Sequence, residues 1–309
     1  MMISEGTYGK VYSCQNMVRK VFKNGETDAF KKELTILRKL KPHDNVCRMF
    51  ASGKTREKLS FILLEALPQC LGDIKSDIIS MPFQEQLKTC TFLIRGICNG
   101  LEYLNSKNVV HADIKSDNIM LRQYGNSSTT YTHPVLIDFS NSGLLSRDGC
   151  VKEEGSFVGG AFCYASPEML CFMQRYYATT PCGMEYGIVA PDRQNVYPNT
   201  DVFSLGGLIY NLMTGLYPNP FYRSVCFRDV EKCYHETKVI QSWKTKQLFL
   251  GLPDNIRRYI SWMMECDPIN RPTVKDLSKE SVFFIHDEEE DDDQDQDQDS
   301  SMTEPTSSP

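Results

Sequence analysis

The sequence contains no C-x-x-C pair, although twelve cysteines are spread over its 309 residues. Cysteines at that spacing are the usual sign of a zinc or redox site, so neither is predicted, and we expect reduced, buried thiols. The chain also lacks a basic start followed by an apolar segment, so a secretory signal is not predicted. Its longest uncharged stretch, residues 202–222, contains Asn211 and Pro218, which favours a buried helix with its exit turn over a membrane span. An intracellular protein is therefore expected.

Basic residues are absent from residues 287–309, which hold eleven of the 40 acidic residues. The formal charge of −6 is thus the sum of about +5 for residues 1–286 and −11 for this acidic tail. A segment with so few apolar side chains cannot bury enough surface to fold, so the tail is predicted to be disordered. Two interpretations stay open: a solubilising extension, or a segment that docks on a basic partner or on the body itself.

The order of predicted elements divides the chain into a strand-rich front and a larger helical rear. Residues 1–23 alternate as short strands broken by glycines, 27–40 carry apolar side chains at three- and four-residue steps, and 59–65 form an apolar strand. Helical patterns dominate the rest, the longest over 86–106. The polar Ser/Thr/Gly segment 125–133 is predicted to be a loop. No internal repeat interrupts this order.

A glycine-rich turn lies between the first two predicted strands, at residues 4–11. Gly6 and Gly9 lack Cβ atoms, which lets backbone N–H groups approach a phosphate chain, although an ordinary hairpin turn explains two glycines as well. Lys20 shares one face of the following strand with apolar residues, and a lysine that points inward needs a counter-charge. Glu33 on the predicted helix is the candidate partner. The alternatives are an exposed lysine on an edge strand and an exposed glutamate on a helix.

The glycine turn, the strand lysine and the helix glutamate, in that order, resemble the opening of the protein kinase family. The resemblance implies an α+β, bilobal protein kinase fold, with a small β-rich N-lobe that has one key helix and a larger, mainly α-helical C-lobe. It also implies a hinge after the strand at 59–65, with Leu64 as gatekeeper and the backbone of Glu65 to Leu67 at the adenine. The implied cofactors are ATP and Mg²⁺, and the implied cofactor-binding residues are Ser4, Gly6, Gly9, Val11, Lys20, Glu33, Glu65 and Leu67.

Residues 109–121 place polar side chains in a short loop between two apolar strands, where a purely structural loop has little use for them. His111, Asp113 and Asn118 match the family pattern H-R-D-L-x-x-x-N in type and spacing. The resemblance implies that Asp113 orients the attacking hydroxyl and accepts its proton and that Asn118 ligates Mg²⁺. Lys115 resembles the lysine of Ser/Thr-directed members, which neutralises the γ-phosphate. The alternative is a chance match over this span.

Asp138 ends a further apolar strand, and a carboxylate on a fixed strand end suits a metal ligand. Its resemblance to the first residue of the D-F-G motif implies a second Mg²⁺ ligand. In the rear, Glu168 and Arg271 match two residues that form a buried ion pair in the family. Asp201 matches the residue that holds the backbone of the catalytic loop. The resemblance covers roughly residues 3–285.

Four positions depart from the family pattern. Ser4 stands where the first loop glycine is usual. Ala112 replaces the arginine that receives an activation-loop phosphate, so activation is expected not to depend on phosphorylation there. Ser140 replaces the glycine of D-F-G, which should restrict backbone flipping and leave Asp138 intact. Ala161 replaces a threonine that often contacts the catalytic aspartate, which should loosen the substrate groove.

Two segments, about 125–133 and 174–198, look longer than is usual in the family, and the second is interpreted as a loop-rich insertion near the substrate side. Compact, divergent kinases of this style are common among large DNA viruses, so a viral origin is one hypothesis. The predicted divisions are an N-lobe over 1–67, a C-lobe over 68–285 and a disordered acidic tail over 286–309.

Three functions are weighed. An active protein Ser/Thr kinase is favoured because the sequence keeps the whole catalytic set, whereas a pseudokinase that serves as a binding or scaffold module usually lacks a member of it. A small-molecule kinase is weaker because residues 164–168 resemble a peptide-substrate platform. The predicted partners are a protein substrate and, through the acidic tail, a basic protein, with no membrane and no direct reading of nucleic acid. The predicted location is the cytoplasm, the nucleus or both, in a host cell if the protein is viral.

Overall fold

The computed structural model describes six ranges of the chain, to which every structural statement here applies: residues 1–6, 8–126, 129–151, 162–170, 196–218 and 242–279. For residues 124–126 and 129–131 the description is of the backbone alone. The predicted tail, Ala161 and most of the predicted insertion at 174–198 lie outside these ranges.

A five-stranded antiparallel sheet forms the front of the chain. The central strand β3 pairs with β2, where Val11 faces Lys20, and with β5, where Ile62 faces Lys20. Lys20 therefore lies in the middle of the sheet, which excludes an exposed edge-strand lysine. In the spatial order β1-β2-β3-β5-β4, the strands are β1 (Met2–Glu5), β2 (Gly9–Cys14), β3 (Met17–Phe22), β4 (Met49–Lys54) and β5 (Ser60–Glu65).

Helix α1 (Thr27–Lys39) packs against β4 and β5, which confirms the predicted helix apart from its last residue. Apolar residues at three- and four-residue steps share one face of a helix, and here that face includes buried Leu34. Phe30 meets Phe22 of β3 edge-on, with ring centroids 5.3 Å apart. The same packing buries Glu33 completely, next to the sheet rather than in solvent.

The rear of the described chain is built mainly from helices around a central buried one. Every residue from 200 to 214 of that central helix is buried, and Gly215, at φ +72°, ends it. This confirms the predicted buried helix followed by an exit turn, with the helix ending at Thr214 and the turn described as far as residue 218. None of the described helices is long and apolar enough to cross a membrane. The helices are α2 (Leu71–Ile79), α3 (Phe83–Ser106), α4 (Asn199–Thr214, the central one), α5 (Gln247–Leu250), α6 (Asp254–Met263) and α7 (Val274–Leu277).

Five further strands form a three-stranded and a two-stranded sheet and frame two loops, at residues 111–118 and 137–142. The prediction of a loop over 125–133 was wrong, because strand β8 continues to Asn126 and β9 starts at Thr129. Threonine and tyrosine favour strands, and in this segment strand pairing outweighs the turn composition. The strands are β6 (Gln69–Cys70), β7 (Val109–Val110), β8 (Ile119–Asn126), β9 (Thr129–Leu136) and β10 (Gly143–Leu144).

The eight cysteines of the described ranges are all free thiols. Cys47, Cys90 and Cys98 are buried, and burial raises the pKa of each to about 12. Thiols of that kind stay protonated at neutral pH and are inert. The other four cysteines of the sequence lie outside the described ranges.

Candidate active site

Lys20 connects the sheet to the loop that carries Asp138. Its Nζ lies 2.9 and 2.7 Å from Glu33 Oε1 and Oε2, and 2.8 Å from Asp138 Oδ1. Strand β3 supplies the lysine, α1 the glutamate and the loop after β9 the aspartate. The predicted pairing of Lys20 with Glu33 is therefore present, and Asp138 completes what we call the Lys20 triad (Lys20, Glu33 and Asp138).

The Lys20 triad carries one positive and two negative groups. Burial alone would lower the pKa of the Lys20 ammonium, but the attraction of Glu33 and Asp138 outweighs it and raises that pKa above its usual value. Burial also opposes ionisation of Asp138, yet Lys20 and hydrogen bonds from Ser140 hold the pKa of Asp138 well below its usual range. The Asp138 side chain is 38% exposed, whereas that of Glu33 is 0% exposed. Within the triad, Glu33 is thus shielded from solvent, whereas Asp138 is accessible to it.

The glycine turn is closed by a hydrogen bond from Gly6 N–H to Gly9 O of 2.8 Å. A Cβ on Gly9 would lie 2.4 Å from a backbone oxygen of β3, so strand packing requires glycine there. At Gly6 the nearest such atom is 4.0 Å away, so packing does not require glycine, and the backbone stays open to approach. Ser4 is exposed on β1, and Val11 lies opposite Lys20. The turn and the Lys20 triad therefore adjoin each other through β2 and β3.

Asp138 has a left-handed backbone, at φ +61°, two residues after the end of β9. Ser140 donates to its Oδ1 from the hydroxyl at 2.7 Å and from the N–H at 3.3 Å. Lys20 donates to the same oxygen. Ser140 therefore supports the Asp138 carboxylate, which is more than the sequence predicted for it.

His111 connects the two loops of the site, 111–118 and 137–142. The N–H of Asp113 donates to His111 Nδ1 at 3.3 Å, so Nε2 carries the ring proton and donates to Ile137 O at 3.0 Å. His111 is completely buried. The loop that bears Asp113 is therefore fastened to the strand end that precedes Asp138.

Asp113 collects three side-chain donors on its Oδ2 atom. These are Lys115 Nζ at 2.9 Å, Asn118 Nδ2 at 2.8 Å and Asn141 Nδ2 at 3.1 Å. Burial alone would lower the pKa of Lys115, but Asp113, with a smaller contribution from Asp138, raises it above its usual value. The groups around Asp113 and the Lys20 triad therefore lie within electrostatic reach of each other.

Asp201, in the first turn of α4, accepts hydrogen bonds from the backbone of the loop at residues 111–118, the predicted catalytic loop. The N–H groups of His111 and Ala112 lie 2.8 and 2.7 Å from its two oxygens, as predicted. Ala112 has φ +63°, a conformation that costs a non-glycine residue roughly 1–3 kcal/mol and that these bonds support. Burial raises the pKa of Asp201 to about 6.

Glu168 and Arg271 form the predicted buried ion pair. Arg271 Nη1 lies 2.7 Å from Glu168 Oε1, and Nη2 lies 3.1 Å from Oε2. The remaining guanidinium hydrogens bind the carbonyl oxygens of Asn199, Glu265 and Cys266. All five donors of the guanidinium are thus used inside the protein.

The strand that leads to the hinge carries an ion pair that the sequence reasoning missed. Glu65 Oε1 and Oε2 lie 2.7 and 2.6 Å from Nε and Nη2 of Arg122 on β8, and Arg122 also donates to Asp44 O. The N–H of Glu65 donates to Arg48 O at 3.0 Å, so this donor is already used within the protein. The role of Leu67 stays a prediction. An arginine that follows three apolar residues in a strand needs a counter-charge, and that signal was available.

Asn118 and Asp138 are the predicted metal ligands. The Asn118 amide nitrogen donates to Asp113, so the amide oxygen of Asn118 is directed away from Asp113. Among the described residues, no group of three or more His, Cys, Asp or Glu side chains could hold a metal. Mg²⁺ in phosphoryl-transfer sites takes one or two protein ligands and completes its shell with phosphate oxygens and water. An amide oxygen and one carboxylate fit such an ion.

Comparisons with known proteins point to one family. A family model described as protein kinase domain matches residues 1–283. A Wee1-like protein kinase of Oryza sativa subsp. japonica is 26% identical over 280 residues, covering 89% of this chain and 42% of that protein. The dual specificity protein kinase shkC of Dictyostelium discoideum is 24% identical over 288 residues, covering 89% and 49%. CBL-interacting serine/threonine-protein kinase 19 of Arabidopsis thaliana is 22% identical over 303 residues, covering 91% and 52%. The chain thus spans about half the length of these relatives.

Proposed function

The chain belongs to the protein kinase family, and we propose that it is an active serine/threonine kinase. It would transfer the γ-phosphoryl group of ATP to a Ser or Thr hydroxyl of a protein substrate. Family membership implies the use of ATP. The proposal is carried by one observation: Lys115 binds Asp113 and also lies in the field of Asp138, which binds Lys20, so that two carboxylates and two ammonium groups lie close together.

The roles follow from charge and position. Asp113 would orient the substrate hydroxyl and accept its proton, while Lys115 would offset the negative charge of the transferred group. Lys20, held by Glu33, would bind the nucleotide phosphates beside the open backbone at Gly6. Asn118 and Asp138 would hold Mg²⁺, which when bound neutralises charge on the phosphate oxygens. Phosphoryl transfer depends mainly on such positioning and charge neutralisation, which these groups supply.

The rival function is that of a pseudokinase, a binding or scaffold module without turnover. Activity is favoured because the catalytic set (Lys20, Glu33, Asp113, Asn118 and Asp138) is present and is hydrogen-bonded in two groups, the Lys20 triad and the pair of Asn118 with Asp113. The choice of Ser and Thr over Tyr rests on Lys115. The relatives do not decide it, since one of them is named a dual specificity kinase.

Further proposals concern the whole chain. We retain the N-lobe over 1–67, the C-lobe over 68–285 and the acidic tail over 286–309 as proposed divisions, with the tail as a dock for a basic protein. An intracellular location is supported by the need for ATP and by the free thiols of the described ranges. A viral origin stays a hypothesis based only on the compact, divergent character of the sequence.

The test is transfer of labelled γ-phosphate to a generic basic protein by the full chain. Asp138→Ala should lower the Mg²⁺-dependent rate by about 100-fold or more, because it removes a proposed metal ligand. Asp28→Ala, at an aspartate whose side chain is 85% exposed on α1, is the matched control and should leave the rate unchanged. Equal background transfer by the wild type and Asp138→Ala would support the pseudokinase. Labelled phosphotyrosine in the product would contradict the Ser/Thr assignment.

A further inference from the structure

Three consecutive side chains at residues 140–142 donate hydrogen bonds to the catalytic groups. We call them the clasp (Ser140, Asn141 and Ser142). Their bonds run from Ser140 Oγ to Asp138 Oδ1 (2.7 Å), from Asn141 Nδ2 to Asp113 Oδ2 (3.1 Å) and from Ser142 Oγ to His111 O (3.0 Å). The clasp therefore fastens one loop of the site to the other, and it contacts both carboxylates that the proposed reaction uses.

Asn141 holds its contact with Asp113 although its other amide atom is unpaired. Asn141 Oδ1 is buried and has no hydrogen-bond partner among the residues that the structure describes. The positions of the amide nitrogen and oxygen cannot be exchanged, because the oxygen would then face the Asp113 carboxylate, which accepts hydrogen bonds but does not donate them. A buried acceptor without a partner costs about 1–3 kcal/mol. A local cost of this kind is typical of a position whose role is functional rather than stabilising.

The backbone continues the fastening that the clasp begins. Ser142 is completely buried, and the next residue, Gly143, pairs with Val110 of β7. Strand β7 leads directly into His111, which accepts the bond from Ser142. Side-chain hydrogen bonds from residues 140–142 and strand pairing at residue 143 therefore both hold this segment against the catalytic loop and the strand β7 that precedes it.

Apolar packing fastens the following segment to the same loop. Ala112, which stands where the family has a phosphate-binding arginine, is only 4% exposed. It lies in a small apolar cluster that joins the catalytic loop to residues on both sides of the range 152–161. The buried members of this cluster are Val110, Ala112, Val151, Ala165, Met169, Leu170 and Val196. None of these contacts involves a charge that a phosphate could complete.

We propose that the clasp and this apolar cluster keep Asp113 and Asp138 in the arrangement needed for transfer, so that the enzyme is active without phosphorylation of its own chain. Ser140, Asn141 and Ser142 are then positioning residues, which act through the two aspartates and His111. The proposal rests on the proposed kinase function and adds its regulation. In this proposal, hydrogen bonds and apolar contacts that form when the protein folds take the role of an activating phosphate.

The kinetic test uses the full chain after phosphatase treatment, with its unphosphorylated state checked by mass spectrometry. The treated wild type should keep its kcat within about twofold of the untreated protein. Asn141→Ala should lower kcat about 10- to 100-fold while KM for ATP changes less than about threefold, since catalytic geometry is lost but not nucleotide binding. Ser140→Thr, which keeps the hydroxyl, should retain activity. Loss of wild-type activity on dephosphorylation, or an unchanged kcat in Asn141→Ala, would overturn the proposal.

The matched control is Ser146→Ala. Ser146 Oγ donates to Cys150 O at 2.8 Å, so it makes a similar bond in the same segment without contact to the catalytic loop. Its removal should leave kcat unchanged and also excludes phosphorylation of Ser146 as the source of activity. A loss in Ser146→Ala equal to that in Asn141→Ala would mean that any disturbance of the segment has the same effect, and it would overturn a specific role for the clasp.

A readout without turnover separates this proposal from the proposed function. Amide hydrogen exchange of residues 138–145 should be slow in the wild type and faster in Asn141→Ala and Ser142→Ala at an unchanged melting temperature. If the wild type transfers no phosphate but shows this difference, the kinase function fails and the clasp as a fastening stands. If exchange is the same in all three proteins, the clasp fails, whatever the activity.

Discussion

The Lys20 triad and the Glu168–Arg271 pair both place a cation against carboxylates inside the protein. They differ in how far their charged groups are exposed and satisfied by protein partners. Arg271 is 0% exposed, and every one of its donors is bound by a protein acceptor. Lys20 is 12% exposed, and Asp138 on its far side is 38% exposed. The charged atoms of the Glu168–Arg271 pair are all satisfied within the protein, whereas the Lys20 triad leaves a charged group accessible to solvent.

The difference indicates how an ion pair that serves the fold and one that belongs to the proposed active site can be told apart in one molecule. A buried pair stabilises a fold only when additional hydrogen bonds satisfy its remaining donors, as the three carbonyl oxygens around Arg271 do. A pair that serves a ligand must keep one charged group accessible, as Asp138 is. Loss of Arg271 should therefore affect folding, and loss of Lys20 should affect turnover.

The largest effect is expected for Arg271→Leu. Removal of the guanidinium leaves Glu168 buried without a cation and three carbonyl oxygens without a donor, which should lower the free energy of unfolding by about 3–5 kcal/mol. Urea unfolding measures this loss. Arg258→Leu is the control, because Arg258 is 81% exposed on α6 and its bond to Asp254 lies at the surface, so little change is expected. A stable Arg271→Leu protein with impaired turnover alone would break the comparison.

Lys20→Met should lower the rate of phosphate transfer by about 100-fold or more and lower the free energy of unfolding by less than Arg271→Leu does. The smaller loss of stability follows because Asp138 faces solvent and only the Glu33 carboxyl is left buried, whereas Arg271→Leu also leaves three carbonyl oxygens without a donor. Lys23→Met is the matched control, since Lys23 lies three residues away at the surface. A greater loss of activity in Lys23→Met would mean that the strand was assigned the wrong lysine.

The sequence predicted those contacts of the site that depend on one element or on a family motif. Strand alternation placed Lys20 among apolar neighbours with Glu33 as its candidate partner, and the resemblance to the protein kinase family implied the pairing of Glu168 with Arg271. Composition failed at residues 125–133, because strand pairing with β8 decides the conformation there.

Two contacts could not be derived with the same methods. The bond of Asn141 to Asp113 depends on the left-handed turn at Asp138, which directs the following side chains back toward the catalytic loop. The pair of Glu65 with Arg122 depends on how β8 lies against the hinge strand. A sequence can show that an arginine in an apolar strand needs a counter-charge, but which residue supplies that charge depends on tertiary packing.

Asp201 extends the comparison to a buried carboxylate that is bonded to backbone N–H groups rather than to a cation. Without a cation, burial raises the pKa of Asp201 to about 6, whereas Arg271, against the effect of burial, holds the pKa of Glu168 below its usual value. A pKa that is higher in the folded than in the unfolded state makes the folded protein bind the proton more tightly. Relative to Asp201→Asn, the wild type should therefore lose about 2 kcal/mol of stability as the pH rises from 4.5 to 7, most of it below pH 6.

Urea unfolding of both proteins across this pH range measures that difference. Asp276→Asn supplies the control, because hydrogen bonds from Thr273 lower the pKa of Asp276, so this carboxyl titrates below pH 4.5 and the stability of the wild type relative to that variant should stay almost constant across the range. If the difference between the wild type and Asp201→Asn does not change with pH, or increases with it, then the two N–H groups compensate Asp201 as fully as a guanidinium would. In that case the presence of a cation would not be what distinguishes the buried carboxylates of this protein.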